Sequence, residues 1–265
     1  MSEVLPDQAA GLRKLLGHDP FRSIAVACAE AGEGSAAVAA NLAAALGHQG
    51  RDVLLVDCTG GPGGATQILG EGKASGAQVI SAQRRGLRVT CLAALDARRL
   101  AQSLDRHAGD PDVLLVDAPP GDLACAAAAR ELILVVSPSA SAVTSGYRLL
   151  KRLEGQWGRR RVLVLVDRVS CTAQGDRIFG NLSATCRRFL HLPVEYLGSI
   201  PDDERIRRAA RLRQTVIEAF PESETARALS ACAEQLWRSP FPGDAGVVDF
   251  AHRLIETVRS PLSSG

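Results

Sequence analysis

The chain has 265 residues, 46% of them hydrophobic and 23% charged, with a formal net charge of +2. That length suits one large domain or one and a half. The composition is that of a well-cored soluble protein, and so small a net charge supplies no global field for nucleic acid. Seven scattered cysteines without a C-x-x-C pair, five histidines without metal-ligand spacing and no apolar run of 18 residues argue against a disulfide, zinc or membrane-spanning protein. A cytoplasmic protein with reduced thiols is the expectation, and no early run resembles a signal peptide.

In chain order, Asp7–Gly17 reads as a short helix. Asp7 can cap it, Leu12, Leu15 and Leu16 share a face, and Gly17 can end it. An isolated helix this short is marginal in water, so it is expected to order by docking. Strand-like runs follow at Ser23–Cys28, Asp52–Asp57, Leu87–Ala93, Asp112–Asp117, Glu131–Ser137, Arg161–Asp167 and Val194–Ile200. Most are near-continuous apolar runs, as in strands covered on both faces. Helix-compatible segments lie between most of them, including Ser35–Leu46, Ala97–Arg106, Ser141–Glu154 and Gly175–Leu190. This alternation predicts an α/β fold with a doubly wound, mainly parallel sheet.

Arg205, Arg207, Arg208, Arg211 and Arg213 crowd one segment. They read by default as a solvated helical face, with anionic lipid or DNA as the alternative. Pro240–Gly243 looks like a hinge. Beyond it, Val247, Phe250, Ala251, Leu254, Ile255 and Val258 fall on one face of a helix, with Asp249, His252, Arg253 and Glu256 opposite. The mixed charge of the polar face leaves membrane contact and packing on the domain or a partner equally open. Three parts are therefore expected: residues 1–21, residues 22–239 and residues 240–265.

Ligands of such sheets sit beyond the carboxyl ends of the strands. Three polar loops converge there: A-E-A-G-E-G-S-A (Ala29–Ala36), V-D-C-T-G-G-P-G-G (Val56–Gly64) and L-V-D-A-P-P-G (Leu115–Gly121). Asp57 and Asp117, each ending a buried strand, suit a magnesium site, although such aspartates also cap following elements. A glycine turn leading into a helix N-terminus beside them favours a nucleotide-type site.

The residues from Arg22 to Leu236 resemble the MinD/ParA family of deviant Walker A ATPases. V-A-A-N-L-A-A-A-L (Val38–Leu46), R-D-V-L-L-V-D (Arg51–Asp57) and D-A-P-P-G (Asp117–Gly121) carry the likeness. D-Q-A-A-G-L-R (Asp7–Arg13), L-G-S-I-P-D-D-E-R-I-R-R-A (Leu197–Ala209) and A-F-P-E-S-E-T-A-R-A-L (Ala219–Leu229) resemble its flagellar FlhG (FleN) subgroup. The resemblance implies ATP and magnesium as cofactors, with Gly32, Gly34, Ser35, Ala36, Asp167 and Pro201 around the nucleotide and Asp57 and Asp117 on the metal side. It also implies a partner, the flagellar SRP-type GTPase FlhF, met by Asp7, Gln8, Leu12 and Arg13. Switch components or a flagellar transcription regulator are further implied partners. A membrane helix is implied around Val247, Phe250, Leu254, Ile255 and Val258, hence peripheral contact at the inner membrane face or cell pole.

The chain departs from the family loop G-K-G-G-V-G-K-T. The lysine placed across the dimer interface is Glu30, the phosphate-binding lysine is Ser35, the magnesium hydroxyl is Ala36, and the water-orienting aspartate is Thr59. The adenine-reading asparagine is Asp167. Two like charges about 4 Å apart repel by about 4 kcal/mol at an effective dielectric near ~20. Each lost charge-assisted hydrogen bond removes about 1.5–3 kcal/mol. These terms rival the ~8 kcal/mol of a micromolar site. The expectation is therefore an FlhG-like regulator whose ATP hydrolysis is lost or strongly reduced. The alternative is a working ATPase switch that cycles between a monomer and a membrane-bound ATP dimer.

Overall fold

The computed structural model describes residues 21–30, 34–59, 64–70, 78–84, 87–91, 111–120, 123–158, 160–241, 243–244 and 246–259, with the backbone alone over 78–84 and 87–91. The expected helices at Asp7–Gly17 and Ala97–Arg106 lie outside these residues.

Eight strands form one sheet: β1 (Arg22–Cys28), β2 (Val53–Asp57), β3 (Gln78–Arg84), β4 (Leu87–Cys91), β5 (Val113–Ala118), β6 (Glu131–Val136), β7 (Arg161–Val169) and β8 (Glu195–Pro201). Their spatial order is β3-β4-β2-β5-β1-β6-β7-β8. All neighbours are parallel except β3 and β4, which pair antiparallel at one edge. All seven runs expected to be strands are strands. β3 was not among them; its sequence, QVISAQR, is too polar to stand out as an apolar run.

The continuous apolar runs bury alternate residues on opposite faces. Ala25, Leu54, Leu114, Leu132 and Val164 enter one core layer, whereas Ile24, Val53, Leu115, Ile133 and Leu163 enter the other. The second layer is closed by α1 (Ser35–His48), which is buried over most of its length because alanine lets it lie close to the strands. A short helix, α2 (Ala65–Ile68), packs beside it. The first layer is closed by α3 (Leu123–Ala128), α4 (Ala140–Trp157) and α5 (Thr172–Leu190). After β8 come α6 (Glu204–Arg211), α7 (Val216–Ala219) and α8 (Glu224–Arg238) on the α1 side. A capping box between Thr215 and Glu218 starts α7. Asn41 of α1 accepts the Val216 N–H at 2.7 Å, tying the two helices together.

The last helix, α9 (Val247–Arg259), lies on α3. Val247, Phe250, Ala251 and Leu254 are buried in the first core layer, Ile255 is half-buried, and Val258 is 47% exposed. Of the placements the sequence left open, packing on the domain is the one observed. The segment expected to be a hinge leads into a stitched one: Phe241 lies under the Arg22 guanidinium, 4.1 Å from the ring centre. The buried Asp244 carboxylate is held by Ser23, by Arg130, and by Arg253 at 2.6 Å. The Asp244 N–H donates to the Phe21 carbonyl at 3.1 Å.

Candidate functional site

Chain topology brings β1, β2, β5, β7 and β8 to end at one edge, and the polar strand ends meet there. Gly34, at φ 92°, opens α1 in the left-handed region and offers no side chain to the first turn. A Cβ on Gly34 would lie 2.9 Å from Oδ2 of Asp167, so only glycine fits and Asp167 stands directly beside the loop. Ser35 is buried, with its hydroxyl 3.4 Å from the Cys28 thiol. Ala36 follows in the first turn of α1. Gly32 lies outside the described residues.

Glu30, the residue in the place of the cross-interface lysine, turns back onto its own subunit. Its Oε1 accepts the Ser145 hydroxyl of α4 at 2.7 Å. The carboxylate is thereby held against a helix of the same chain.

Asp57 and Asp117 face each other in register across β2 and β5. The Asp57 oxygens are engaged on both sides. Oδ1 accepts the Thr59 N–H at 2.9 Å and its hydroxyl, while Oδ2 accepts the Thr66 N–H at 2.9 Å and the Thr66 hydroxyl at 2.6 Å. Asp117 Oδ2 accepts the Ala65 N–H at 3.2 Å. The two aspartates thus satisfy the first turn of α2, which is the capping role weighed beside the magnesium role. Gly64 lets this happen, because a Cβ there would meet Asp57 and Thr59 oxygens at 2.3–2.7 Å.

The charge at this edge is poorly compensated. Asp117 Oδ1 and Asp167 Oδ1 are buried without a hydrogen-bond partner. Burial first, and then the Asp57 charge, push the Asp117 carboxyl up to about 7, against the pull of the Ala65 and Thr59 hydrogen bonds. Burial likewise pushes Asp167 up to about 6, with Arg168 opposing and Asp202 adding. Arg168, at φ 58°, reaches Asp167 only loosely, at 3.7 Å. Pro201, half-buried, ends β8 in register with Val169 of β7, two residues beyond Asp167.

At the loop positions of the resembled family, the described residues carry no lysine. The described loop residues offer a carboxylate, a buried hydroxyl and a methyl group where the polyanion needs cations and a metal ligand. Both Asp57 oxygens are occupied by donors from Thr59 and Thr66. Thr66 and Ser145 complete this edge, yet local sequence gives no signal for either. They become relevant only when a loop and a distant helix fold onto the strand ends. Asp7, Gln8, Leu12 and Arg13 lie outside the described residues.

Comparison with known proteins places this geometry in a family. Residues 33–177 match the family model described as glycosyl transferase 4-like domain. That stretch starts beyond β1 and stops inside α5, so it omits the strand at the centre of the sheet and the whole region from β8 onward. A much longer likeness joins the chain to the antiactivator FleN of Pseudomonas aeruginosa, 30% identical over 89% of this chain and 94% of that protein. An uncharacterized ATP-binding protein of Methanocaldococcus jannaschii is 25% identical over 81% of this chain and 87% of its own length. Among solved structures, MinD of Pyrococcus horikoshii, complexed with Mg-ADP, superposes with a TM-score of 0.68 at 22% identity, covering 82% of this chain and 96% of that one. MinD in the Aquifex aeolicus MinC:MinD complex gives 0.66 at 18% identity, covering 85% and 99%. At these identities the solved structures speak for the fold, while the likeness that spans nearly the whole chain speaks for descent: the chain belongs to the family of the antiactivator FleN, built on the MinD/ParA P-loop fold.

Proposed function

We propose that this protein is a FleN-like regulator of flagellar number, placement and assembly in which the P-loop edge is a structural scaffold and ATP hydrolysis is lost or strongly reduced. The observation that carries this reading is the internal use of the site's carboxylates. Asp57 is fully engaged by Thr59 and Thr66, and Glu30 is engaged by Ser145. A glutamate from each subunit at the Glu30 position opposes the ATP-sandwiched dimer that family lysines would support. Calorimetric titration with Mg-ATP, phosphate-release assays and light scattering with and without nucleotide test this. The expected outcome is no sub-micromolar binding, no steady turnover and no nucleotide-dependent dimer. Tight binding with turnover would favour the active switch instead.

The regulatory output is assigned to the first residues. Asp7, Gln8, Leu12 and Arg13 engage an FlhF-type GTPase, with switch components or a flagellar transcription regulator as further partners. Removing residues 1–17 is expected to abolish stimulation of the GTPase; unchanged stimulation would overturn this assignment.

A further inference from the structure

Arg160 and Arg161 are neighbours at the start of β7, and the fold treats them differently. Arg161 donates to both Glu131 and Glu195. Arg160 turns toward α3 and α4, where its Nη1 donates to the Ala126 carbonyl at 3.0 Å and its Nε is buried without a partner. Among the described residues no carboxylate pairs with it, and burial alone pushes its guanidinium down to about 10. The cause is the narrow cleft that Arg160 lines. Leu150 and Leu153 of α4, Leu132 and Val162 in register on β6 and β7, and Leu192 form its other walls, and none of these side chains offers an acceptor. Glu154 also lines the cleft, but its charge acts on the Cys186 thiol, which burial first and then Glu154 push up to about 11, and it does not lift Arg160. At the rim stands Gly158, exposed, where an added Cβ would meet nothing within 4 Å, so the cleft is open on that side.

We propose that this cleft binds a short aliphatic carboxylate, a free acid of the propionate type, with its carboxylate on Arg160 and its tail against the leucine and valine walls. A buried guanidinium without an anion costs stability, and an entering carboxylate recovers that cost. The planar fork of arginine presents Nε and an amino group together, which matches the two oxygens of a carboxylate. The narrowness of the cleft keeps the tail short, and its aliphatic walls reject a second polar group. The proposal is independent of the fate of ATP and of the FlhF partner, since the cleft lies at the amino-terminal end of β6 and β7 and the polar loops lie at the other.

The test is thermal unfolding of the full chain in sodium propionate, with sodium chloride at equal ionic strength and n-propanol as controls. Propionate should raise Tm along a saturating curve, which gives an apparent affinity, and neither control should reproduce it. Arg160→Met should weaken that affinity about ten- to a hundredfold and leave the fold intact, because the unpaired charge goes with it. Should that variant not fold, Arg160→Lys, which keeps the charge and loses the fork, should weaken it about tenfold. Glu154→Gln removes a like charge from the cleft and should tighten binding about two- to fivefold. Circular dichroism confirms folding of each variant. The proposal is overturned if Tm is the same in propionate and chloride, or if both Arg160 variants respond as the wild-type chain does. It is also overturned if a double-mutant cycle couples Glu154 to Arg160 in the absence of any acid, since Glu154 would then be the missing partner. Binding of poly-glutamate without binding of propionate overturns it as well, because the occupant would then be a protein segment and not a free acid.

Discussion

The two ends of the sheet handle buried charge in opposite ways. At the amino-terminal end, Arg22 and Glu131 are both essentially without solvent exposure, yet every part of the pair is matched. Arg22 donates Nε and Nη2 to the two Glu131 oxygens at 2.9 and 2.7 Å, and Nη1 to the Leu236 carbonyl. Arg161 adds a further donor to Glu131 at 2.7 Å and reaches out to Glu195, whose carboxyl that arginine holds below its usual range. At the carboxyl end the donors are unevenly shared: Asp57 takes four from Thr59 and Thr66, whereas one oxygen each of Asp117 and Asp167 has none. The first end is a closed lattice that fixes the register of β1, β6, β7 and β8. The second is an open carboxylate cluster in which Thr59 and Thr66 satisfy Asp57, while Asp117 and Asp167 each keep an oxygen without a donor.

The contrast can be broken most forcefully at the closed end. Arg22→Met leaves Glu131 buried with Arg161 and removes the side-chain donor to the Leu236 carbonyl. It should cost about 3–5 kcal/mol in urea unfolding. At the open end the sign reverses. Asp117→Asn removes a like charge while keeping an acceptor for Ala65, and should stabilise the fold by about 2–4 kcal/mol near pH 8. The pH dependence follows from the raised pKa. Near pH 4 and below, the carboxyl is protonated whether the chain is folded or not, and no penalty applies. As pH rises toward the folded value of about 7 the unfolded state releases its proton first, so stability falls across that window and stays reduced above it. The Asn variant should flatten this slope in unfolding series at several pH values.

Smaller effects sharpen the comparison. Ser35→Lys returns one cation to the loop and should improve Mg-ATP affinity by about 1.5–3 kcal/mol, measured by calorimetry. Gly64→Ala forces a methyl group onto Asp57 and should cost about 1–3 kcal/mol, seen as a lowered Tm. Ser145→Ala removes one hydrogen bond to Glu30 and should cost about 1 kcal/mol or less, which denaturant unfolding can resolve.

Much of the fold is legible in the sequence because its strands are continuous apolar runs, and a parallel sheet needs no more than that pattern and the helices between. The missed strand, β3, is an antiparallel edge whose pairing with β4 is fixed by position, not by hydrophobic content. At the site, the loss of lysines and the αL glycine are written locally at Glu30, Ser35 and Gly34. The partners are not. Asp57 looks alike in the sequence whether it serves a metal or caps a helix, and the Thr66 contact appears only once the loop folds back onto the strand end. The Arg22–Glu131–Arg161 lattice is equally invisible, because its members are brought together by strand register over more than a hundred residues.

The bond between Phe21 and Asp244 anchors the start of β1 beside the run into α9. A seven-residue strand is about 23 Å long, so this anchor lies at the pole opposite the strand-end loops around Gly34, Asp57 and Asp117. The seam between β1 and the run into α9 is thereby closed at one pole, well away from the strand-end loops.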